Sequence, residues 1–389
     1  MKLHVLAIPH TVTSKEYLSC AFTQKVLKFC QMMKPHYEII HYGHQRSEVD
    51  CHEHVTVMTD EVLLKTYGSY NWKKDFFRHS IDDLAHKTFN INAHYELTKR
   101  VVPGDAILCF WGKGVEKSVE GLDNHCFIIE PGIGYAARDT FAPFKVFESY
   151  SHMHVIYGAL GVTKGNRYDA VIPNYFDLAD FEYNEEKSDY FLFLSRVTHT
   201  KGLETAIEVT RKSGDKLIIA GQGDIKNLGY TRTPKHVEYA GFADVEKRKK
   251  LLRDAKALFL PTLYIEPFGG VTIEAMLSGT PVITTDWGAF TENNIHGVTG
   301  FRCRNEEEFL WATKNINKIS SKACRDWAEN NFSMERVAKL YCNYFMSLKN
   351  NFVSQEQTGD TIQFDNDVID GFNWLNRFYP TEKPFTGKV

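Results

Sequence analysis

The sequence has no C-x-x-C pair, no apolar run near the ~20 residues of a membrane span, and no large charge excess. Its eight scattered cysteines predict reduced thiols rather than a disulfide framework. The net charge of -3 excludes a general electrostatic attraction to nucleic acid or anionic lipid. No G-x-G-x-x-G motif follows a predicted strand, which disfavours a dehydrogenase. These absences predict a cytoplasmic globular protein.

The length of 389 residues predicts two domains. In the second half, short apolar strands such as residues 190–195 alternate with amphipathic segments such as residues 203–212, which is typical of a parallel sheet covered on both faces. A polar, acidic stretch containing Pro173 and Asn174 separates the halves. We expect an α/β protein with domains at 1–180 and 181–350, and a tail at 351–389 that packs back on the first domain.

Two carboxylates eight positions apart, Glu266 and Glu274, bracket a proline and a pair of glycines. Pro267 and Gly269-Gly270 predict a tight turn before a helix, whose N-terminal N–H groups can bind phosphate. Carboxylates accept hydrogen bonds from sugar hydroxyls. The pattern therefore suits a diphosphate that carries a sugar on each side, although such a pair of carboxylates also occurs by chance.

Two cations, Arg196 and Lys201, follow the strand at 190–195, where open parallel sheets bind ligands. Fixed cations there would stabilise a departing diphosphate, whereas a solvated lysine beside a structural arginine is the alternative. Glycine turns follow the next two strands and are individually weak signals: Gly221, Gly223 and Gly241, the last followed by Phe242.

Together these segments resemble the retaining GT-B-fold glycosyltransferases of family 4, the glycosyltransferase group 1 domain. The resemblance rests on SRVTHTKG (195–202), IAGQGD (219–224), VEYAGF (237–242), EPFGGVTIEAMLSGTPVITTD (266–286) and GAFTENNIHGVTGF (288–301). It implies the GT-B architecture of two Rossmann-like doubly wound domains with a cleft between them. The donor would bind the C-terminal domain and the acceptor the N-terminal one.

The resemblance also implies residue roles. Arg196 and Lys201 would bind the diphosphate, Glu274 the ribose and Glu266 the hexose. The backbone N–H groups of Phe268, Gly269 and Gly270 would contact the phosphate or the sugar of the donor. Gly241 and Phe242 would lie beside the base. The expected donor is a UDP- or GDP-hexose, used without a cofactor or an essential metal.

The first 170 residues depart from the family pattern. Many members place a histidine near the sugar, after an N-domain strand; here the corresponding strand is expected to end at Glu130. Glu130 would replace that histidine as a hydrogen-bond acceptor, or serve as a structural carboxylate. Trp111 follows another strand and is consistent with stacking on a sugar or with packing.

Other features of the first domain have structural explanations that require no function. His52 and His54 in CHEH lack a second ligand pair at zinc spacing, so we expect no metal site there. His152 and His154 are expected to be satisfied structural histidines. The basic and aromatic stretch 71–80 is consistent with a solvated helix face or with peripheral membrane contact.

The sequence thus predicts a hexosyltransferase acting on a glycan or lipid-linked acceptor. One alternative is transfer to a nucleic-acid base, which the near-neutral first domain disfavours. Another is a nucleotide-sugar-binding protein without catalysis, which the presence of both cations and both carboxylates disfavours.

Overall fold

Seven parallel strands form the first sheet of the computed structural model, which describes residues 1–17, 20–69, 79–166 and 168–358, with side chains to Asn350. The strands are β1 (Lys2–Leu6), β2 (Glu38–His44), β3 (Glu53–Met58), β4 (Ala106–Cys109), β5 (Phe127–Ile133), β6 (Phe144–Phe147) and β7 (Ala170–Val171). Their order in the sheet is β3-β2-β1-β4-β5-β6-β7. Because β1 and β4 lie inside the sheet, their apolar residues are almost completely buried.

Four α-helices of the first half connect these strands: α1 (Ala21–Met33), α2 (Asp60–Tyr67), α3 (Leu84–Thr98) and α4 (Tyr150–Ala159). The last three begin at residues whose side chains accept a hydrogen bond from the first turn, namely Thr59, Asp83 and Ser149. The N-terminus of α4 points at the second domain, where it becomes part of the interdomain contact.

The prediction that the strand ends at Glu130 is wrong. β5 continues to Ile133 through Pro131, and its pairing with β6 shifts register between Glu130 and Ile133. A proline is tolerated inside a strand at such an irregularity, since the ladder is interrupted there. Glu130 therefore lies within the sheet rather than at the edge that faces the cleft.

The second sheet has six parallel strands in the order β10-β9-β8-β11-β12-β13. They are β8 (Phe191–Leu194), β9 (Leu217–Ala220), β10 (Val237–Gly241), β11 (Ala257–Leu260), β12 (Val282–Thr285) and β13 (Gly300–Cys303). The helices of this half are α5 (Leu203–Ser213), α6 (Val245–Asp254), α7 (Gly270–Leu277), α8 (Phe290–Asn293), α9 (Glu306–Asn315), α10 (Ser321–Phe332) and α11 (Met334–Thr358). Two doubly wound parallel sheets confirm the predicted fold class.

The chain passes between the two halves twice, and the two passages lie side by side. The backbone N–H of Phe176 donates to the carbonyl of Phe332 at 2.9 Å, and the N–H of Met334 donates to the carbonyl of Phe176 at 3.1 Å. After this point α11 leaves the second sheet. Two backbone hydrogen bonds therefore tie the outgoing and returning strands into one short connection.

Helix α11 packs against α1 of the first domain. The Tyr341 ring meets Phe29 of α1 edge-on, with centroids 5.1 Å apart, and Phe345 contacts Tyr37. The sequence analysis assigns the part of α11 up to residue 350 to the second domain and predicts that residues 351–389 pack on the first domain. We propose that the first domain boundary lies at residue 180 and that the second domain ends at Phe332, because α11 packs on the core of the first domain. Residues 359–389 lie outside the described part of the chain.

No described helix is both long and apolar enough to cross a bilayer. All eight cysteines lie within the described residues, and none of them is paired with another.

Candidate functional site

The Lys201 side chain contacts the Glu266 carboxylate at the carboxyl ends of β8 and β11. Lys201 Nζ lies 2.8 Å from Glu266 Oε2, and the two side chains are only 12% and 11% exposed. The Tyr264 hydroxyl also donates to Glu266 Oε2 at 2.8 Å and accepts from Lys201 Nζ. Burial and the neighbouring Glu266 carboxylate raise the pKa of Tyr264, so its hydroxyl stays protonated as a donor. The predicted cation and carboxylate thus form one triad with Tyr264.

The backbone of Gly202 explains how Lys201 comes so close to the loop after β11. Gly202 has φ +72°, in the left-handed region, and a Cβ there would overlap the carbonyl oxygen of Pro261. Lys201 ends a short 3₁₀ turn just before this glycine. The tight approach therefore fixes the base of the lysine side chain against the loop that carries Glu266.

Gly269 forms the N-cap of α7, also with a left-handed φ of +76°. A Cβ on Gly269 would lie 2.6 Å from the Phe290 ring, so the turn leaves the first N–H groups of α7 beside the Glu266 loop. The Phe268 side chain is buried, and its ring packs against Phe176 and Phe332. The Phe268 side chain is therefore not available to a ligand, and the contact through its backbone N–H stays a prediction.

Glu274 lies one turn into α7 and is paired with Arg248 of α6. Arg248 Nε donates to Glu274 Oε2 at 2.7 Å. Both residues line a cavity of about 120 Å³ between α1, α6 and α7, together with Lys28 and Lys249. The sequence does not identify Arg248, because it stands among four consecutive basic residues that look alike, Lys247 to Lys250.

The glycine turns after β9 and β10 stack beside Arg196. The Gly221 N–H donates to the Gly241 carbonyl at 2.9 Å, and a Cβ on Gly221 would overlap the carbonyl oxygen of Ser195. Gly223 packs against Val197 in the same way. Arg196 is exposed at this edge, close enough to Tyr264 for its charge to affect that hydroxyl.

Gly241, with φ +70°, is followed by a half-buried Phe242. The structure therefore brings the predicted C-domain residues to one edge of the second sheet.

Contacts from the first domain complete the cleft, and the sequence does not predict them. The Ser149 hydroxyl donates to the Pro267 carbonyl at 2.7 Å. The Glu292 carboxylate accepts from the backbone N–H groups of Tyr150 and Ser151 at 2.9 and 2.7 Å. Glu292 thus caps the N-terminus of α4 from across the cleft, where the helix dipole favours negative charge.

A buried lysine lies beside these contacts. Lys25 Nζ contacts the Glu148 carboxylate and donates to the Gly132 carbonyl at 2.9 Å, while the Asn174 amide donates to Glu148 at 3.1 Å. Glu148 directly precedes Ser149. The ion pair therefore supports the first-domain loop that contacts the second domain through Ser149.

Glu130 is not brought to the Lys201–Glu266 pair. It is fully buried and accepts hydrogen bonds from the Tyr135 hydroxyl at 2.8 Å and from the N–H groups of Phe141 and Ala142 at 3.1 and 2.9 Å. Burial raises the pKa of Glu130 to about 7. These contacts make Glu130 the anchor of the 135–142 loop, so we leave it out of the proposed chemistry.

Three of the four histidines named in the sequence analysis have structural partners. His52 Nδ1 accepts from the Ile39 N–H at 3.0 Å, and His54 Nδ1 lies 2.9 Å from His41 Nδ1. His152 is buried and lies 3.0 Å from the Tyr135 carbonyl, as predicted, whereas His154 is exposed, so the prediction of a buried histidine is wrong there. Most of the basic and aromatic stretch 71–80, including residues 71–78, lies outside the described residues.

Comparison with known proteins relates this part of the chain to glycosyltransferases. Residues 176–334 match the family described as Glycosyl transferases group 1. The chain is 30% identical over 180 residues to an uncharacterized glycosyltransferase, MJ1607, of Methanocaldococcus jannaschii, covering 41% of this chain and 45% of that protein. It is 34% identical over 176 residues to the glycogen synthase of Mycobacterium tuberculosis, covering 41% and 42%. The chain therefore spans less than half the length of these relatives.

Two solved structures share the whole two-domain arrangement. AviGT4, a glycosyltransferase involved in avilamycin A biosynthesis, has a TM-score of 0.64 at 16% identity, covering 90% of this chain and 98% of that one. Anabaena Alr3699/HepE in complex with UDP and glucose has a TM-score of 0.62 at 15% identity, covering 89% and 100%. The chain therefore has the GT-B fold of these structures, and its residues 176–334 match the family described as Glycosyl transferases group 1.

Proposed function

We propose that this protein is a retaining glycosyltransferase that moves a hexose from a nucleotide-diphosphate sugar to a hydroxyl of a glycan or lipid-linked acceptor. The observation that carries the proposal is the Lys201–Glu266 contact of 2.8 Å beside the N-terminus of α7. This arrangement places the Lys201 ammonium group and the first backbone N–H groups of α7 next to the Glu266 carboxylate. It matches a ligand whose phosphates and sugar hydroxyls are adjacent.

The positive groups would stabilise the leaving nucleoside diphosphate. Negative charge develops on the phosphate oxygens as the bond to the sugar breaks, and fixed cations in a partly buried site lower the energy of that state. Lys201 is held in place by Glu266 and Tyr264, so it needs little rearrangement to meet the phosphate. Arg196 supplies a second cation from the same loop.

The carboxylates would orient the two sugars of the donor. Glu266 has one oxygen engaged by Lys201 and Tyr264, which leaves the other to accept from a hexose hydroxyl. Glu274 would accept from the ribose hydroxyls, with Arg248 holding its carboxylate in position. The glycine turns at Gly221, Gly223 and Gly241 would allow the diphosphate and base to approach the backbone.

Retention at the anomeric carbon and independence from a metal follow from the family resemblance. The site is consistent with a reaction that needs no metal, because Arg196, Lys201 and the N-terminus of α7 would supply positive charge directly to the diphosphate. The nucleoside diphosphate of the donor would be UDP or GDP; the HepE structure contains UDP.

The acceptor would bind the first domain. A cavity of about 610 Å³ opens there between the loop after β1 and helix α2, and its size suits a few sugar units. Its wall carries hydroxyl and charged groups, which suit hydroxyl-rich acceptors: Ser14, Tyr17, Arg46, Glu48, Asp60 and Tyr67. The name of the relative glycogen synthase is consistent with a glycan acceptor.

Release of nucleoside diphosphate tests the proposal. The protein is incubated with UDP- and GDP-hexoses without acceptor, and free diphosphate is measured. Slow hydrolysis of at least one donor is expected, and it should be lost in Glu266→Gln. Lys212→Ala is the matched control, since this exposed lysine pairs with Glu306 far from the site. Donor binding without any release would favour a nucleotide-sugar-binding protein instead.

A further inference from the structure

We infer that His10, His79 and His86 bind a transition-metal ion of the zinc type in the first domain. Each of the three offers a ring nitrogen, and these atoms all lie within 4.8 Å of one another. The inference does not depend on the proposed sugar transfer, and none of these histidines belongs to the donor site.

Three separate chain segments bring these rings together. His10 lies in the loop after β1, His79 precedes α3, and His86 lies in its first turn. The His10 ring stacks on His79 with centroids 4.4 Å apart and lies 5.6 Å from the His86 ring. His10 and His86 are buried, whereas His79 is exposed. The cluster therefore has two ligands fixed by the core and one that can adjust as an ion enters.

Asp83 orients His86 as carboxylates commonly do for metal-binding histidines. Asp83 Oδ1 lies 2.9 Å from His86 Nδ1, and the same oxygen caps the His86 backbone N–H at 2.9 Å. Tyr67 and the Ser80 N–H hold the other oxygen. With Nδ1 donating to Asp83, Nε2 of His86 keeps its lone pair for a ligand in the cluster.

In this structure the indole N–H of Trp111 donates to the Nε2 lone pair of His86. Its Nε1 lies 3.1 Å from His86 Nε2, and its ring lies 5.0 Å from His10 and 5.2 Å from His79. A metal ion would take the Nε2 lone pair, so the indole N–H must turn away. Metal binding should therefore change the fluorescence of Trp111.

The ligand set selects the class of ion. Three imidazoles with no carboxylate or thiolate suit Zn²⁺, Co²⁺, Ni²⁺ or Cu²⁺, whereas Mg²⁺ and Ca²⁺ prefer oxygen ligands. His10 also lines the 610 Å³ cavity. The ion would link the loop after β1 to α3 and so fix one wall of that cavity.

The test uses tag-free protein, freed of metal with a chelator and titrated with ZnCl₂ by calorimetry. We expect a single high-affinity zinc ion per chain, and Co²⁺ should give the visible absorption of a low-symmetry site. His79→Ala should abolish the binding, and because His79 is exposed the variant should keep the wild-type circular dichroism. His154→Ala, at an exposed histidine of α4, should bind like the wild type.

Trp111→Phe separates the roles within the cluster. It removes the competing N–H donor, so zinc should bind at least as tightly while most of the fluorescence change disappears. Absence of stoichiometric zinc binding in the wild type would overturn the inference, as would unchanged affinity in His79→Ala. Strong loss of affinity in His154→Ala would place the ion elsewhere and would also overturn it.

Discussion

Replacing Glu130 with glutamine tests whether this buried carboxylate is structural. Its pKa is raised from an ordinary value of 4.5 to about 7 by burial, so the folded protein favours the neutral acid. The stabilising effect of the proton is fully present below pH 4.5 and is lost as the pH rises through about 7. At 1.36 kcal/mol per unit, the loss between pH 5 and pH 8 is about 2.5 kcal/mol.

Glutamine keeps the shape of the side chain but does not titrate. Its carbonyl oxygen can accept from the Phe141 and Ala142 N–H groups, and the Tyr135 hydroxyl can turn to accept from its amide. The free energy of unfolding of Glu130→Gln, measured in urea from pH 5 to pH 8, should therefore rise relative to wild type by about 2.5 kcal/mol across that range.

The exposed Glu116→Gln is the control and should follow the wild-type pH dependence. Donor hydrolysis should be unchanged in Glu130→Gln, because Glu130 bonds to Tyr135, Phe141 and Ala142 and not to the loop that carries Glu266. Parallel pH profiles for wild type and Glu130→Gln would refute the raised pKa. A large loss of hydrolysis with normal stability would instead support the role suggested by the family resemblance.

Four further outcomes are expected. Lys201→Ala should slow donor hydrolysis about 10²–10³-fold, since it removes a fixed cation from the leaving group; wild-type steady-state rates would exclude Lys201 from the mechanism. Glu274→Ala should weaken nucleoside diphosphate binding about 10-fold in calorimetry through the loss of ribose hydrogen bonds, and an unchanged Kd would contradict that assignment. Glu292→Ala should open the cleft, because two α4 N–H groups lose a carboxylate; small-angle scattering should show a larger radius of gyration, and an identical radius would count against it. Added Mg²⁺ or Mn²⁺ should leave the hydrolysis rate unchanged, and a clear activation would contradict direct charge neutralisation by Arg196 and Lys201.

The sequence predicts the second sheet well because its strands are short, buried apolar runs separated by capped helices. Asp244 is an example: aspartate is a preferred N-cap residue, and its side chain accepts from the Lys247 N–H at 2.9 Å. The first sheet is less well predicted. Pro131 looks like a strand terminator, yet the pairing irregularity beside it lets β5 continue.

The site could be predicted only where a local pattern carries it. Arg196, Lys201, Glu266 and Glu274 lie in motifs with glycines at fixed spacing, and the structure brings them to one edge. Tyr264, Arg248 and Ser149 lie outside these motifs, and Glu292 lies inside the segment 288–301 without a predicted role. Only their distances show that they matter. The cluster of His10, His79 and His86 is likewise invisible in the sequence, because about 70 residues separate the first two ligands.

The paired passages at Phe176 and Phe332 limit how the protein can be divided in the laboratory. A gene fragment ending near residue 180 would encode the first sheet without α11, leaving the aromatic faces of Phe29 and Tyr37 open to water. Such a fragment should aggregate, whereas a single chain joining residues 1–175 to 334–358 would restore the missing cover. The first domain thus depends on a helix, α11, that is translated only after the second domain is complete.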